Sequence, residues 1–117
     1  SGPFHTALLE DARKEFEKDL ENIKFNDSNK QVIKNIDGAA YSNDDDIREI
    51  LGKHIVSPVR FDKIIAKMTK ENVDTYVEIG PGKTLTGFVK KEIPESKIIN
   101  IYDVDSLNDA LKVLKNN

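Results

Sequence analysis

Thr75-Tyr76-Val77-Glu78-Ile79-Gly80-Pro81-Gly82-Lys83-Thr84 decides the fold class. A β-prone, largely apolar run from Thr75 to Ile79 meets a Gly-Pro-Gly turn. A helix-compatible stretch from about Lys83 to Lys91 follows. Strand, tight glycine turn and helix are the first three parts of a βαβ unit. The fourth is the apolar run Lys97 to Tyr102, reached after Pro94 closes the helix.

Working outward, Thr6 is expected to cap a helix whose apolar residues are Leu8, Leu9, Ala12, Phe16, Leu20 and Ile23. Their spacing of three and four makes one amphipathic face. Gln31 to Ile36 reads as a short strand closed by the turn signal Asp37-Gly38. The polar stretch Ser42 to Asp46 supplies a cap and acidic first-turn residues for a helix reaching about His54, and Ser57-Pro58 breaks the chain. Phe61, Ile64, Ile65 and Met68 mark a helix ending near Asn72. Asp105 or Ser106 begins a last one with Leu107, Ala110, Leu111 and Leu114. The order α-β-α-α-β-α-β-α implies an α/β layer of about three mostly parallel strands with flanking helices. Ile98-Ile99-Asn100-Ile101 lacks polar alternation and reads as buried on both faces, so the strands are expected to belong to a wider sheet.

The bulk properties bound the function. The chain has 117 residues, 38% hydrophobic and 33% charged, with net charge -3. Acidic and basic residues are mixed along it, which argues against nucleic acid as a partner. The absence of cysteine removes disulfides, thiol nucleophiles and thiolate metal sites. No apolar run approaches the ~20 residues of a membrane span. No signal peptide is visible, and a cytoplasmic location is expected. The chain opens on Ser1, without methionine and directly on a motif, unlike a native N-terminus.

Three readings compete for the glycine turn. Gly80-Pro81-Gly82-Lys83-Thr84 resembles the end of a phosphate-binding P-loop, but Val77 stands where the first glycine belongs. Val77 to Gly82 also resembles the first motif of methyltransferases that bind S-adenosylmethionine, with Asp103 as the ribose-binding acid. There the third glycine falls on Thr84. The plain reading is a close-packed strand-to-helix turn with Pro81 in the first helical turn.

The start of the chain adds a histidine at a loop-to-helix junction, Ser1-Gly2-Pro3-Phe4-His5. At this point the sequence resembles the malonyl-CoA:acyl-carrier-protein transacylases and the acyltransferase domains of polyketide synthases. Four segments carry the resemblance in order, over nearly the whole chain. They are Ser1 to His5, Asn35-Ile36-Asp37, His54 through Ser57-Pro58-Val59-Arg60-Phe61, and Glu78 through Gly87.

The resemblance implies a fold and a chemistry. Residues 1–117 would be the C-terminal segment of the large α/β-hydrolase-like acyltransferase subdomain, with the nucleophile half and a ferredoxin-like subdomain outside this chain. A serine in a Gly-His-Ser-Leu-Gly elbow would attack malonyl-CoA and pass malonyl to the phosphopantetheine thiol of acyl carrier protein. His5 would be the general base, with one ring nitrogen held by the backbone carbonyl of His54, where several relatives carry glutamine. Phe4 would border the acyl group, since phenylalanine before the histidine accompanies malonyl in polyketide relatives. Gly80, Pro81 and Gly82 would be a structural turn. The implied partners are malonyl-CoA, acyl carrier protein and the rest of the enzyme, with no nucleic acid, membrane, cofactor or metal.

The sequence also lacks parts that this chemistry needs. No Gly-His-Ser-Leu-Gly occurs, and Ser28, Ser42, Ser57, Ser96 and Ser106 have no elbow context. Arg13, Arg48 and Arg60 match no malonyl-binding position. The alternatives are a nucleotide- or S-adenosylmethionine-binding domain using the glycine turn, and a non-enzymatic domain presenting Lys83, Lys90 and Lys91 to an acidic partner.

Overall fold

The computed structural model describes residues 2–116. Ser1, which opens the histidine segment, lies outside the described residues. The chain forms two compact units, one up to Lys67 and one from Met68 onward.

In the first unit a 3-10 turn, Ala7–Leu9, leads into helix α1, Glu10–Leu20, which packs on helix α2, Ile47–Val56. Thr6 does not cap as expected. Its hydroxyl donates back to the Pro3 carbonyl at 2.7 Å, and no side-chain cap bond forms. The apolar face is also shorter than the periodicity suggests. Leu8 is 80% exposed, and Ile23 falls beyond the helix end. Arg48 on α2 explains where α1 stops. Its guanidinium donates to the Leu20 carbonyl at 2.9 Å and the Ile23 carbonyl at 2.5 Å. It thereby satisfies acceptors that a helix end leaves open. Gly52 lets the two helices approach, because a side chain there would overlap the Glu17 carboxylate. Leu20 and Ile50 are buried in this unit.

Helix α2 starts where the acidic loop predicts. Asp46 accepts from the backbone N–H of Arg48 at 3.0 Å and of Glu49 at 3.2 Å. The strand expected over Gln31 to Ile36 is absent, so the described residues hold fewer strands than the three expected. The segment makes an isolated antiparallel bridge, Ile33 to Ala40. The turn that closes it is the reason. Asp37 accepts from Ala39 N–H at 2.9 Å, and Gly38 takes φ 73°. The chain therefore folds back on itself at once, and its ladder partner lies just across the turn.

Helix α3, Phe61–Lys70, contains the boundary between the units. It ends close to Asn72, which takes φ 60°. The second unit is a βαβ element. Strand β1, Thr75–Ile79, pairs in parallel with strand β2, Lys97–Ile101, and helix α4, Thr84–Glu92, connects them. The register pairs Tyr76 with Ile98, Glu78 with Asn100, and Ile79 with Ile101. Helix α5, Val104–Lys115, packs on β2 and buries Ala110. It begins slightly earlier than its apolar spacing suggests, because Asp103 and Ser106 form a capping box. Tyr76 and Val89 are buried. The run Ile98 to Ile101, expected to be buried on both faces, is half-buried, and Ile79 is 78% exposed. Two strands and their helices do not supply enough cover for both faces of a parallel sheet. Among the described residues no helix is long and apolar enough to cross a membrane.

Candidate functional site

His54 lies in the last turn of α2. Carbonyls there have no partner within their own helix, so that of His54 is free to accept from elsewhere. It does so from His5, whose Nδ1 lies 2.6 Å away. A carbonyl only accepts, so Nδ1 carries the proton. In the neutral ring the lone pair is then on Nε2. The His5 backbone has φ 57°, a left-handed conformation that costs a residue with a side chain of order 1–3 kcal/mol. Histidine adopts it more readily than most residues. The ring is exposed. The result is an exposed imidazole with a defined tautomer, held by main chain.

The His54 imidazole is placed differently. Its Nε2 is buried and has no hydrogen-bond partner among the described residues. Burial, and then the charge of His5, hold this imidazole below its ordinary pKa, against the attraction of Asp37. Phe4 is 71% exposed. Its ring leans over Gly2, where an added Cβ would come within 2.9 Å of it.

The three arginines are engaged structurally. Arg13 pairs with Glu10 at 3.1 Å and Glu17 at 2.9 Å. Arg48 holds the end of α1 and stacks on Phe25 at 5.2 Å. Arg60 grips Asp62 with two nitrogens and draws its carboxyl down to about 2. Two of the serines are likewise committed. Ser28 Oγ donates to the Lys30 carbonyl at 2.9 Å, and Ser106 Oγ belongs to the capping box.

The glycine turn in the second unit has its own logic. Gly80 and Gly82 take φ 138° and 85°, where side chains are strained. An added Cβ would meet nothing within 4 Å at either, so dihedral preference and not crowding demands glycine. Pro81 lies in the turn and not, as expected, in the first helical turn, since α4 begins at Thr84. The sequence reading missed Glu78. Its carboxylate accepts from the N–H of Leu85 at 3.2 Å, the N–H of Thr86 at 2.8 Å and the Thr86 hydroxyl at 2.5 Å. Asn100 adds its amide at 3.2 Å and reaches the Thr86 hydroxyl at 2.7 Å. A strand residue thus caps the next helix. The available signal was a single polar residue inside each apolar strand, at positions that the parallel register pairs. Asp103, the candidate ribose-binding acid, has its carboxylate taken by Ser106 at 2.8 Å and 2.6 Å.

Two tests follow for this turn. Gly82→Val is expected to destabilise the chain by about 1–3 kcal/mol, the range for a forced left-handed backbone. Thermal unfolding measures it, and an unchanged midpoint would show that the backbone relaxes freely. Glu78 is held below its ordinary carboxylate range, by the Thr86 hydroxyl first. A depressed carboxylate stabilises the fold above the unfolded value of 4.5, and that contribution is lost as pH falls through the folded value. Glu78→Gln is therefore expected to be less stable than wild type at pH 7, with the gap closing in acid below 4.5. A constant gap would rule out the carboxylate charge as the cause.

The fold is that of the C-terminal part of an acyltransferase domain. In sequence and in structure the chain is similar to malonyl CoA-acyl carrier protein transacylases. No family model matches the chain. The Bacillus subtilis (strain 168) transacylase of that name is 37% identical over 115 residues, which is 98% of this chain and 36% of that protein. The crystal structure of the Clostridium perfringens transacylase superposes with a TM-score of 0.90 at 41% identity, covering 99% of this chain and 37% of that one. A malonyl-transacylase solved in complex with a type II polyketide acyl-carrier protein gives a TM-score of 0.86 at 31% identity, covering 100% of this chain and 37% of that one. The chain thus spans about a third of the length of these relatives.

Proposed function

We propose that this chain is the C-terminal segment, residues 1–117, of the large subdomain of a malonyl-CoA:acyl-carrier-protein transacylase. In this reading it supplies the general base, His5. The observation that carries the proposal is the 2.6 Å contact between His5 Nδ1 and the His54 carbonyl. It commits one nitrogen to the main chain and leaves the other as an accessible base. A serine on another part of the enzyme attacks the thioester of malonyl-CoA, and His5 Nε2 takes its proton. The tetrahedral adduct collapses to a serine ester, and the imidazolium returns the proton to the leaving CoA thiolate. The phosphopantetheine thiol of acyl carrier protein then attacks the ester, with His5 again taking and returning a proton. The complex of a similar transacylase with a carrier protein supports that acceptor. Phe4, adjacent to the base, is proposed to border the malonyl α-carbon.

The nucleotide-binding alternative for the glycine turn loses support from its hydrogen bonds. Bound phosphate would need the free N–H groups at the start of α4. Glu78 already occupies those of Leu85 and Thr86 with a negative charge.

Malonyl transfer from malonyl-CoA to phosphopantetheinylated carrier protein tests the proposal. The purified 117-residue chain is expected to give no turnover above background. The polypeptide joining it to a serine-bearing half is expected to be active. Transfer by the chain alone would place the nucleophile within these residues and overturn the division of labour.

A further inference from the structure

We propose that the side chain of His54, and not only its carbonyl, controls His5. The neutral imidazole keeps the end of α2 seated so that its carbonyl holds the His5 ring, and protonation of that imidazole unseats it. This makes the pair an acid-sensitive latch on the base, and its catalytic meaning rests on the transacylase reading above.

The geometry carries the inference. Among the described residues His54 Nε2 is buried and has no hydrogen-bond partner. A neutral imidazole can leave a lone pair there. An imidazolium cannot, because both of its nitrogens carry protons. Protonation would therefore place a charged donor at a buried position that has no acceptor partner among the described residues. The same residue supplies the carbonyl that His5 binds, so relief of the side chain acts on the contact through one α-carbon. Residue 54 is in the last turn of a helix that ends at Val56, where local opening is easiest. His5 is also held at φ 57°, a conformation that persists only while its surroundings impose it.

The charged groups around His54 divide. Asp37, from the 33–40 turn, favours the cation, and the C-terminus of α2 does the same through its dipole. His5 opposes it. On α1, Glu17 and Arg13 meet α2 at Gly52 and Glu49 and pair with each other. On α2 itself Lys53 pairs with Glu49 at 2.7 Å, and Lys63 sits beside Asp37. Burial is the largest influence and wins, so the neutral form is favoured in the fold. The sign follows. A base depressed by folding keeps its stabilising neutral form above the unfolded value of 6.5. It loses that contribution as pH falls through the lower folded value. The latch is closed at neutral pH and opens on acidification.

The experiment follows the carbonyl 13C signal of residue 54 and the imidazole 15N signals in the labelled 117-residue chain from pH 8 to 4.5, for wild type and H54Q. In wild type the His54 imidazole is expected to titrate below 6.5, with the carbonyl signal shifting to its unbonded position at the same midpoint. H54Q keeps the carbonyl and removes the titration, so that step should be lost. H5A should raise the His54 midpoint by removing the opposing charge. His54 titrating at or above 6.5 overturns the latch, as does the same carbonyl pH course in wild type and H54Q. Neither result bears on malonyl transfer, which the enzyme assay decides separately.

Discussion

Replacing His5 with alanine in the complete form of the proposed transacylase is expected to lower turnover roughly 10²–10⁴-fold, the range for removing a general base. That is about 3–5 kcal/mol of transition-state stabilisation at 1.36 kcal/mol per decade. The loss arises because serine is a poor nucleophile until its proton is taken. Folding should survive, because the ring is exposed and its polar contact is one bond to the His54 carbonyl. The backbone adds a control. At φ 57° alanine is strained, whereas glycine is not. His5→Gly should therefore be as inactive as His5→Ala but more stable to heat, which separates lost chemistry from lost structure. Steady-state malonyl transfer and thermal unfolding of both variants provide the readout. Near-normal turnover in either would remove His5 from the mechanism.

The parts of the fold that could be read from sequence are those whose determinants are local. Thr75 to Ile79 was expected as a strand and is one, because β-prone residues run straight into a glycine turn. The start of α2 was expected from its acidic loop, and Asp46 caps it. The failures have two sources: a competing local turn or hydrogen bond decided the first two, and a partner distant in sequence decided the third. Gln31 to Ile36 has the composition of a strand, yet the Asp37-Gly38 turn folds it onto Ala40 before it can join a sheet. Thr6 has the chemistry of a cap but prefers the Pro3 carbonyl. The capping role of Glu78 exists only once the register sets Asn100 beside it and α4 follows the turn. The candidate site is similar. The roles given to His5, His54 and Phe4 come from the family resemblance. The left-handed backbone at His5 and the buried Nε2 of His54 have no sequence signature, because both are properties of the folded chain.

Phe4→Ser is expected to relax the choice of acyl group. In the proposed enzyme Phe4 directly precedes the base in the chain, and its bulk is proposed to exclude an α-methyl branch. Its exposure in this chain fits a side chain whose packing partner is a ligand or another part of the enzyme. One methyl group in an apolar pocket is worth only about 1–3 kcal/mol, or roughly 10–200-fold in kcat/KM. The ratio of methylmalonyl to malonyl transfer should therefore rise within that range, as a weakened preference and not a reversed one. Competition between the two CoA thioesters measures the ratio directly and is insensitive to the amount of active enzyme. Malonyl turnover should fall less than in His5→Ala, because the base and its carbonyl are untouched. An unchanged ratio with activity retained would mean that the ring packs away from the acyl group, and that side chains outside these 117 residues set the choice.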